Sequence, residues 1–268
     1  MAGHLLRAGH DLTVWSRTPG KAESVGASVA ASLQEMGARC EIVFLCVNRT
    51  EDVRDCALEL ASGGKVELIV DHSTILPAGA RSIREELGAR GIRFVDAPIT
   101  GGSMGAQKGQ LTIFCGGDEA DVERAKPFLA AYAKRAERVG PSGAGQLMKM
   151  ANQIAVGGAL IALCESLAFA KKAGLDVAQT RELLAGGAAG SWAFENYGPK
   201  ILAEDWSPGF TIANQVKDFE YCLDTAVELE AAIPATTLVD ELLQEMMEEG
   251  DAGLTTAALY RKLLEMGA

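Results

Sequence analysis

The sequence predicts an α/β domain built on a doubly wound, mostly parallel sheet, followed by an all-α domain. Three observations carry this. Short β-rich runs alternate with amphipathic helical segments from residue 1 to about 140, the rhythm of βαβ units. Several runs, such as "IVFLCV" and "ELIV", are apolar throughout, as strands buried on both faces are. From about residue 143 the strand pattern stops and only helical periodicity remains. The boundary is placed between an α/β domain, 1–141, and an all-helical domain, 142–268.

The elements follow in order. "LLRAGH" reads as a helix closed by Gly9, leading into the strand "DLTVWS". Further strands are "EIVFLCV", "VELIVDHS", "IRFVDAP", "LTIFCGG" and "RAERVG". Helices are expected over "RTEDVRDCALELAS" and "LPAGARSIREELGARG". Gly143 and Gly145 mark the junction to one long helix from 143 to about 175. Helices at 176–186, 192–203, 213–231, 235–248 and 255–266 complete the chain.

The totals exclude several classes of function. Among 268 residues, 48% are apolar and 23% charged, the composition of a soluble globular protein. A net charge of −11 argues against nucleic-acid and anionic-membrane surfaces, which require a basic footprint. Six cysteines include no C-x-x-C pair, and several sit in apolar runs. They read as reduced, buried residues of a cytoplasmic protein. Three histidines without zinc-ligand spacing predict no metal. No signal peptide is apparent at the start of the chain. The uncharged stretch Met150 to Cys164 is 15 residues, short of a membrane span, and reads as a buried helix.

Five stretches carry chemistry. "VDAPITGGSMGAQKGQLTIFCGG" (95–117) places Thr100, Gly101 and Gly102 just after a strand. Paired glycines let backbone N–H groups approach a carboxylate, with the Thr100 hydroxyl as a further donor; an isolated Gly-Gly is otherwise a turn. In "GAGQLMKMANQ" (143–153), Lys149, Asn152 and Gln153 share one helix face. A lysine on so apolar a helix is partly desolvated, which suits proton transfer near neutral pH, although lysines near helix starts also snorkel to solvent. Lys217-Asp218 in "FTIANQVKDFEYCLDTA" reads, taken alone, as a surface lysine beside a carboxylate. "GGAAGSWAFEN" offers Ser191 and Trp192 after a glycine run, and reads equally as a loop that packs its tryptophan. At the end of "LTVWS", Arg17 and Thr18 stand where a dinucleotide-binding unit reads the ribose, and a guanidinium there favours a 2′-phosphate; the alternative is a solvated arginine in a turn before Pro19.

Together, and in this order, these segments resemble the β-hydroxyacid dehydrogenases, the family of 3-hydroxyisobutyrate dehydrogenase and tartronate semialdehyde reductase. The resemblance implies a Rossmann-like dinucleotide-binding domain and a helical substrate and dimerisation domain. It assigns Lys149 as the catalytic lysine and Thr100, Gly101, Gly102, Asn152 and Ser191 as substrate contacts. It assigns Arg17, Thr18, Val47, Asn48, Thr74 and Lys217 to the dinucleotide, which is NADP or NAD, with Arg17 leaning to NADP. The implied partner is a small anionic hydroxy- or oxo-acid, in a cytoplasmic homodimer or homotetramer. Asn152-Gln153 and "GGAAGSW" resemble the tartronate semialdehyde (2-hydroxy-3-oxopropionate) reductase branch. 3-Hydroxyisobutyrate, succinic semialdehyde and glyoxylate are the alternatives. Family members begin with a strand and a G-x-G-x-M-G loop, about 15 to 20 residues that the resemblance places before Met1. That placement also raises the expectation of a non-catalytic pseudoenzyme or dimerisation module.

Overall fold

The computed structural model describes residues 1–18 and 20–266. The chain divides into two compact units, Met1–Lys149 and Met150–Ala268.

The first unit begins with α1 (Ala2–Arg7), β1 (Thr13–Val14), β2 (Ser28–Val29) and α2 (Leu33–Arg39). It continues through β3 (Ile42–Leu45), α3 (Thr50–Ala61), β4 (Leu68–Asp71), α4 (Pro77–Gly88) and β5 (Arg93–Asp96). Then come β6 (Ile99–Thr100), α5 (Gly102–Lys108), β7 (Leu111–Gly116), α6 (Glu119–Leu129) and β8 (Ala133–Gly140). Strands β3, β4 and β5 are parallel, in the register Leu45↔Asp71↔Asp96. β7 joins β5 and β6 antiparallel and β8 parallel, so the sheet is mixed. All four residues of β4 are buried. Successive side chains alternate between two cores. Ile69 and Phe94 pack with Val53, Leu60, Ile83 and Leu87 of α3 and α4. Leu68, Val70 and Val95 pack with Val122, Ala125 and Leu129 of α6.

β1 and β2 form a separate parallel pair. An apolar slot runs between β1 and β3, lined by Val14, Trp15, Ile42 and Phe44. His72 is buried beside it, with one ring nitrogen 2.7 Å from the Ala97 carbonyl oxygen and the other 2.7 Å from the Tyr132 hydroxyl. Burial pulls its pKa down to about 4.

The second unit contains most of α7 (Ala144–Lys172), then α8 (Val177–Ala185), α9 (Trp192–Asn196), α10 (Gly198–Leu202), α11 (Ile212–Glu228), α12 (Pro234–Glu248) and α13 (Leu259–Met266). α11 packs on α12, burying Phe219, Cys222, Leu242 and Leu243. Gly157 of α7 lies so close to Phe219 that a Cβ there would sit 2.5 Å from its Cζ.

Several expectations need correction. The segment 192–203 is two helices, not one, because Pro199 opens a new first turn. Residues 255–266 begin as a 3₁₀ turn before α13. β2 and β6 were not anticipated: two residues are too few to show alternation. Cys46 is exposed and Cys40 partly so; Cys46 follows the last residue of β3 and has left the sheet. α7 runs 29 residues, and by length and hydropathy alone it could cross a membrane. Half of its apolar window is buried within the protein, as in a core helix.

Candidate functional site

Parallel strands gather ligand-binding loops at their carboxyl ends. Val47 and Asn48 follow β3, Thr74 follows β4, and Thr100, Gly101 and Gly102 follow β5. The first two loops are tied together, since the Val47 N–H donates to the Ser73 hydroxyl (2.9 Å). Thr74 is half-buried and Asn48 exposed.

The segment after β5 is more ordered than a glycine-rich loop. Thr100 pairs with Thr112 across β6 and β7, and a short helix, α5, starts at Gly102. Gly101 (φ 123°) and Gly102 (φ 64°) both adopt backbone that favours glycine. Gly102 is exposed and Gly101 half-buried, so both backbones are open to a ligand with no Cβ in the way.

Lys149 stands on the second turn of α7 and is only 7% exposed. The start of α7 is held by Asp96, the last residue of β5 and fully buried. One Asp96 oxygen accepts from the Gly143 N–H (2.8 Å) and the Ser142 hydroxyl (3.4 Å). The other accepts from the Gln146 N–H (3.1 Å). Burial pushes the Asp96 pKa up to about 7 even against these bonds. The Gln146 amide accepts from the Ile75 N–H (3.1 Å) and donates to the Ser73 carbonyl (2.9 Å). The catalytic-lysine candidate, Thr74 and the strand ends therefore share one hydrogen-bonded frame.

Arg17 and Thr18 lie outside that frame, exposed beyond β1. The Arg17 guanidinium donates to Asp52 (2.9 Å) in the first turn of α3. The other Asp52 oxygen accepts from the Arg49 N–H (3.0 Å). The Thr18 N–H donates to the Ser16 hydroxyl (3.2 Å).

In the second unit the surface reading of Lys217 is overturned. Lys217 and Asp218 are buried, and form an ion pair at 2.9 Å. The Gln153 amide donates to Asp218 (2.7 Å), and the Asn152 amide donates to Gln153 (2.9 Å). The Lys217 ammonium also lies 5.3 Å from the Tyr221 ring centre. The physical reason is mutual: a buried ammonium is tolerated only beside a carboxylate that is itself hydrogen-bonded. Ser191 is the N-cap of α9, accepting from the Phe194 N–H (3.4 Å). Sequence reasoning missed Asp96, Gln146 and Asp218. The one local signal was Gln146, three residues before Lys149 and on its face of the helix.

Residues 1–140 match the NAD-binding domain of 6-phosphogluconate dehydrogenase. Residues 143–263 match the NAD-binding domain of NADP-dependent 3-hydroxyisobutyrate dehydrogenase. The chain belongs to the β-hydroxyacid dehydrogenase family. This dehydrogenase chain is 38% identical, over 98% of its length and 81% of the relative's, to a probable 3-hydroxyisobutyrate dehydrogenase-like protein of Arabidopsis thaliana. It is 35% identical to 2-hydroxy-3-oxopropionate reductase of Escherichia coli, over 98% of this chain and 92% of that one. The crystal structure of 3-hydroxyisobutyrate dehydrogenase from Salmonella typhimurium superposes with a TM-score of 0.88 at 27% identity, covering 97% and 94% of the two chains. Members of the family are nicotinamide-dependent oxidoreductases acting on a CH–OH group, and so is this one. Polar residues that suit an anionic dinucleotide stand at the ends of three strands: Arg17, paired with Asp52, beyond β1, Asn48 after β3 and Thr74 after β4.

Proposed function

We propose that this dehydrogenase interconverts a short β-hydroxy acid and its semialdehyde acid, with 2-hydroxy-3-oxopropionate reduction as the leading reaction and NADP(H) as the leading dinucleotide. The carrying observation is the buried amine of Lys149 on a helix start clamped to the end of β5. The nicotinamide, when bound, supplies or accepts the hydride. Lys149 does the proton work: as an ammonium it stabilises charge growing on the substrate carbonyl oxygen and donates a proton there. In the oxidative direction it accepts that proton. Acid–base help of this kind is worth about 10²–10⁴-fold.

The substrate carboxylate is held by the N–H groups of Gly101 and Gly102 and by the Thr100 hydroxyl. Asn152, one helical turn beyond Lys149, orients the substrate, and its bond to Gln153 holds it in place. Ser191 is assigned as a further substrate contact. Val47, Asn48, Thr74 and Lys217 contact the dinucleotide; Arg17 and Thr18 meet the ribose end, where Arg17 selects a 2′-phosphate. The domain assigned to dinucleotide binding is 1–141, and that assigned to substrate and dimerisation is 142–268. The assignment extends to a cytoplasmic homodimer or homotetramer.

The test is steady-state turnover by the full chain of 2-hydroxy-3-oxopropionate, 3-hydroxyisobutyrate, succinic semialdehyde and glyoxylate, each with both dinucleotides. The highest kcat/KM is expected for 2-hydroxy-3-oxopropionate with NADPH. A clear preference for another acid would replace the substrate, and a preference for NADH would remove the role of Arg17. No turnover and no dinucleotide binding would favour the non-catalytic alternative.

A further inference from the structure

Asp96 and Gln146 are both fully buried, so neither can touch a substrate. Each nevertheless spends its polar groups on joining separate elements. The first N–H groups of a helix lack partners within the helix. In α7 and the turn before it, the N–H groups of Gly143 and Gln146 are accepted by Asp96 from the end of β5. The Gln146 side chain then bonds backbone groups on either side of Thr74, the Ile75 N–H and the Ser73 carbonyl. Ser73 in turn accepts from Val47.

Two glycines make this approach possible. A Cβ at Gly145 would lie 2.5 Å from the Phe114 carbonyl oxygen and 2.8 Å from an Asp96 carboxylate oxygen. A Cβ at Gly116 would lie 2.6 Å from the same carboxylate. The helix start is thus pressed onto the strand ends with no slack. Lys149 follows Gln146 by three residues, about 4.5 Å further along the axis and on the same face.

We infer that Asp96 and Gln146 are positioning residues: they lock the first turn of α7 to the ends of β4 and β5, so that one clamp sets both the Lys149 amine and the Thr74 segment. This rests on Lys149 being the acid–base group, and it goes beyond that assignment by naming what aims the amine. A 1 Å misplacement of a reacting group can cost about a hundredfold in rate. The clamp predicts losses on that scale from residues that contact neither substrate nor dinucleotide.

The test is a double-mutant cycle in the full chain, with Asp96→Asn, Gln146→Met and Lys149→Ala made singly and in pairs. Asp96→Asn sets an amide donor against backbone donors, and is expected to lower kcat about 10–100-fold while KM stays within about threefold. Gln146→Met is expected to lower kcat similarly and also to weaken dinucleotide binding at least about threefold, because it frees the segment around Thr74. Gln146→Glu keeps the acceptor for Ile75 and should restore part of the loss. In the Lys149→Ala background, neither change should lower the residual rate by more than about twofold. Equal fold losses with and without Lys149, or native kcat in both clamp variants, would overturn the inference. Native kcat in Lys149→Ala alone would instead remove the acid–base assignment. If Asp96→Asn does not fold, the cycle between Gln146→Met and Lys149→Ala decides the matter by the same criteria.

Discussion

Replacing Asp96 by asparagine removes one ionisable group from the interior, and the consequence for stability can be worked out with its sign. The ordinary aspartate pKa is 3.8, and in the folded protein burial raises it to about 7. Between those values the folded chain holds a proton that the unfolded chain has released. Stability from Asp96 is therefore fully present below pH 3.8 and is lost as pH rises through 7. At 1.36 kcal/mol per pH unit, the loss is about 4 kcal/mol across the whole interval and about 3 kcal/mol between pH 4.5 and 7. Asparagine does not titrate, so the stability of the native chain minus that of the Asp96→Asn variant should fall by about 3 kcal/mol over that range. His72 works in the opposite direction: its stability is present above 6.5 and lost as pH falls through about 4. It is common to both proteins and cancels in the difference. The assay is urea denaturation of both proteins from pH 4.5 to 7.5, followed by circular dichroism. A difference that stays flat would show that burial does not control this carboxylate. A difference that rises with pH would show that the helix start and its N–H donors outweigh burial.

Other perturbations test separate parts of the structure. Gly145→Ala places a methyl group within 2.5–2.8 Å of Phe114 and Asp96 oxygens. It should destabilise the protein by about 1–3 kcal/mol in thermal or urea unfolding; an unchanged melting temperature would show that the helix start has slack. Asp218→Asn leaves the buried Lys217 ammonium without its carboxylate, and should cost about 3–5 kcal/mol of stability, partly recovered when Lys217→Met is added. An exposed pair would show neither effect. Arg17→Ala should lower the ratio of kcat/KM for NADPH over NADH about tenfold or more, the loss of one charge-assisted contact. A ratio that does not move would mean Arg17 serves only its pair with Asp52.

The parts legible in the sequence were those set by local pattern. Apolar runs marked β3, β4 and β7, although only β4 is buried at every position; β3 alternates half-buried and buried residues, and β7 does so over its first four. Helical spacing put Lys149 and Asn152 on one face of α7. What stayed hidden depended on partners distant in the chain. Asp96 looked like an ordinary strand end because its acceptor role is completed at Gly143 and Gln146, 47 and 50 residues away. Lys217-Asp218 looked solvated because Gln153, which stabilises Asp218, lies 65 residues earlier. The glycines of 101–109 argued against a helix on propensity. α5 forms all the same, and it closes on Gly109 in the left-handed conformation that helix ends favour. The short strands β2 and β6 exist only through pairing with β1 and β7.

The most direct measurement is turnover by Lys149→Ala beside its dinucleotide affinity. Loss of the buried amine should lower kcat by about 10²–10⁴-fold, while the dissociation constant for NADPH, read by fluorescence titration, stays within about threefold of the native value. A variant that binds the dinucleotide and turns over at near-native rate would show that the proton moves through another group, and would contradict the account at its centre.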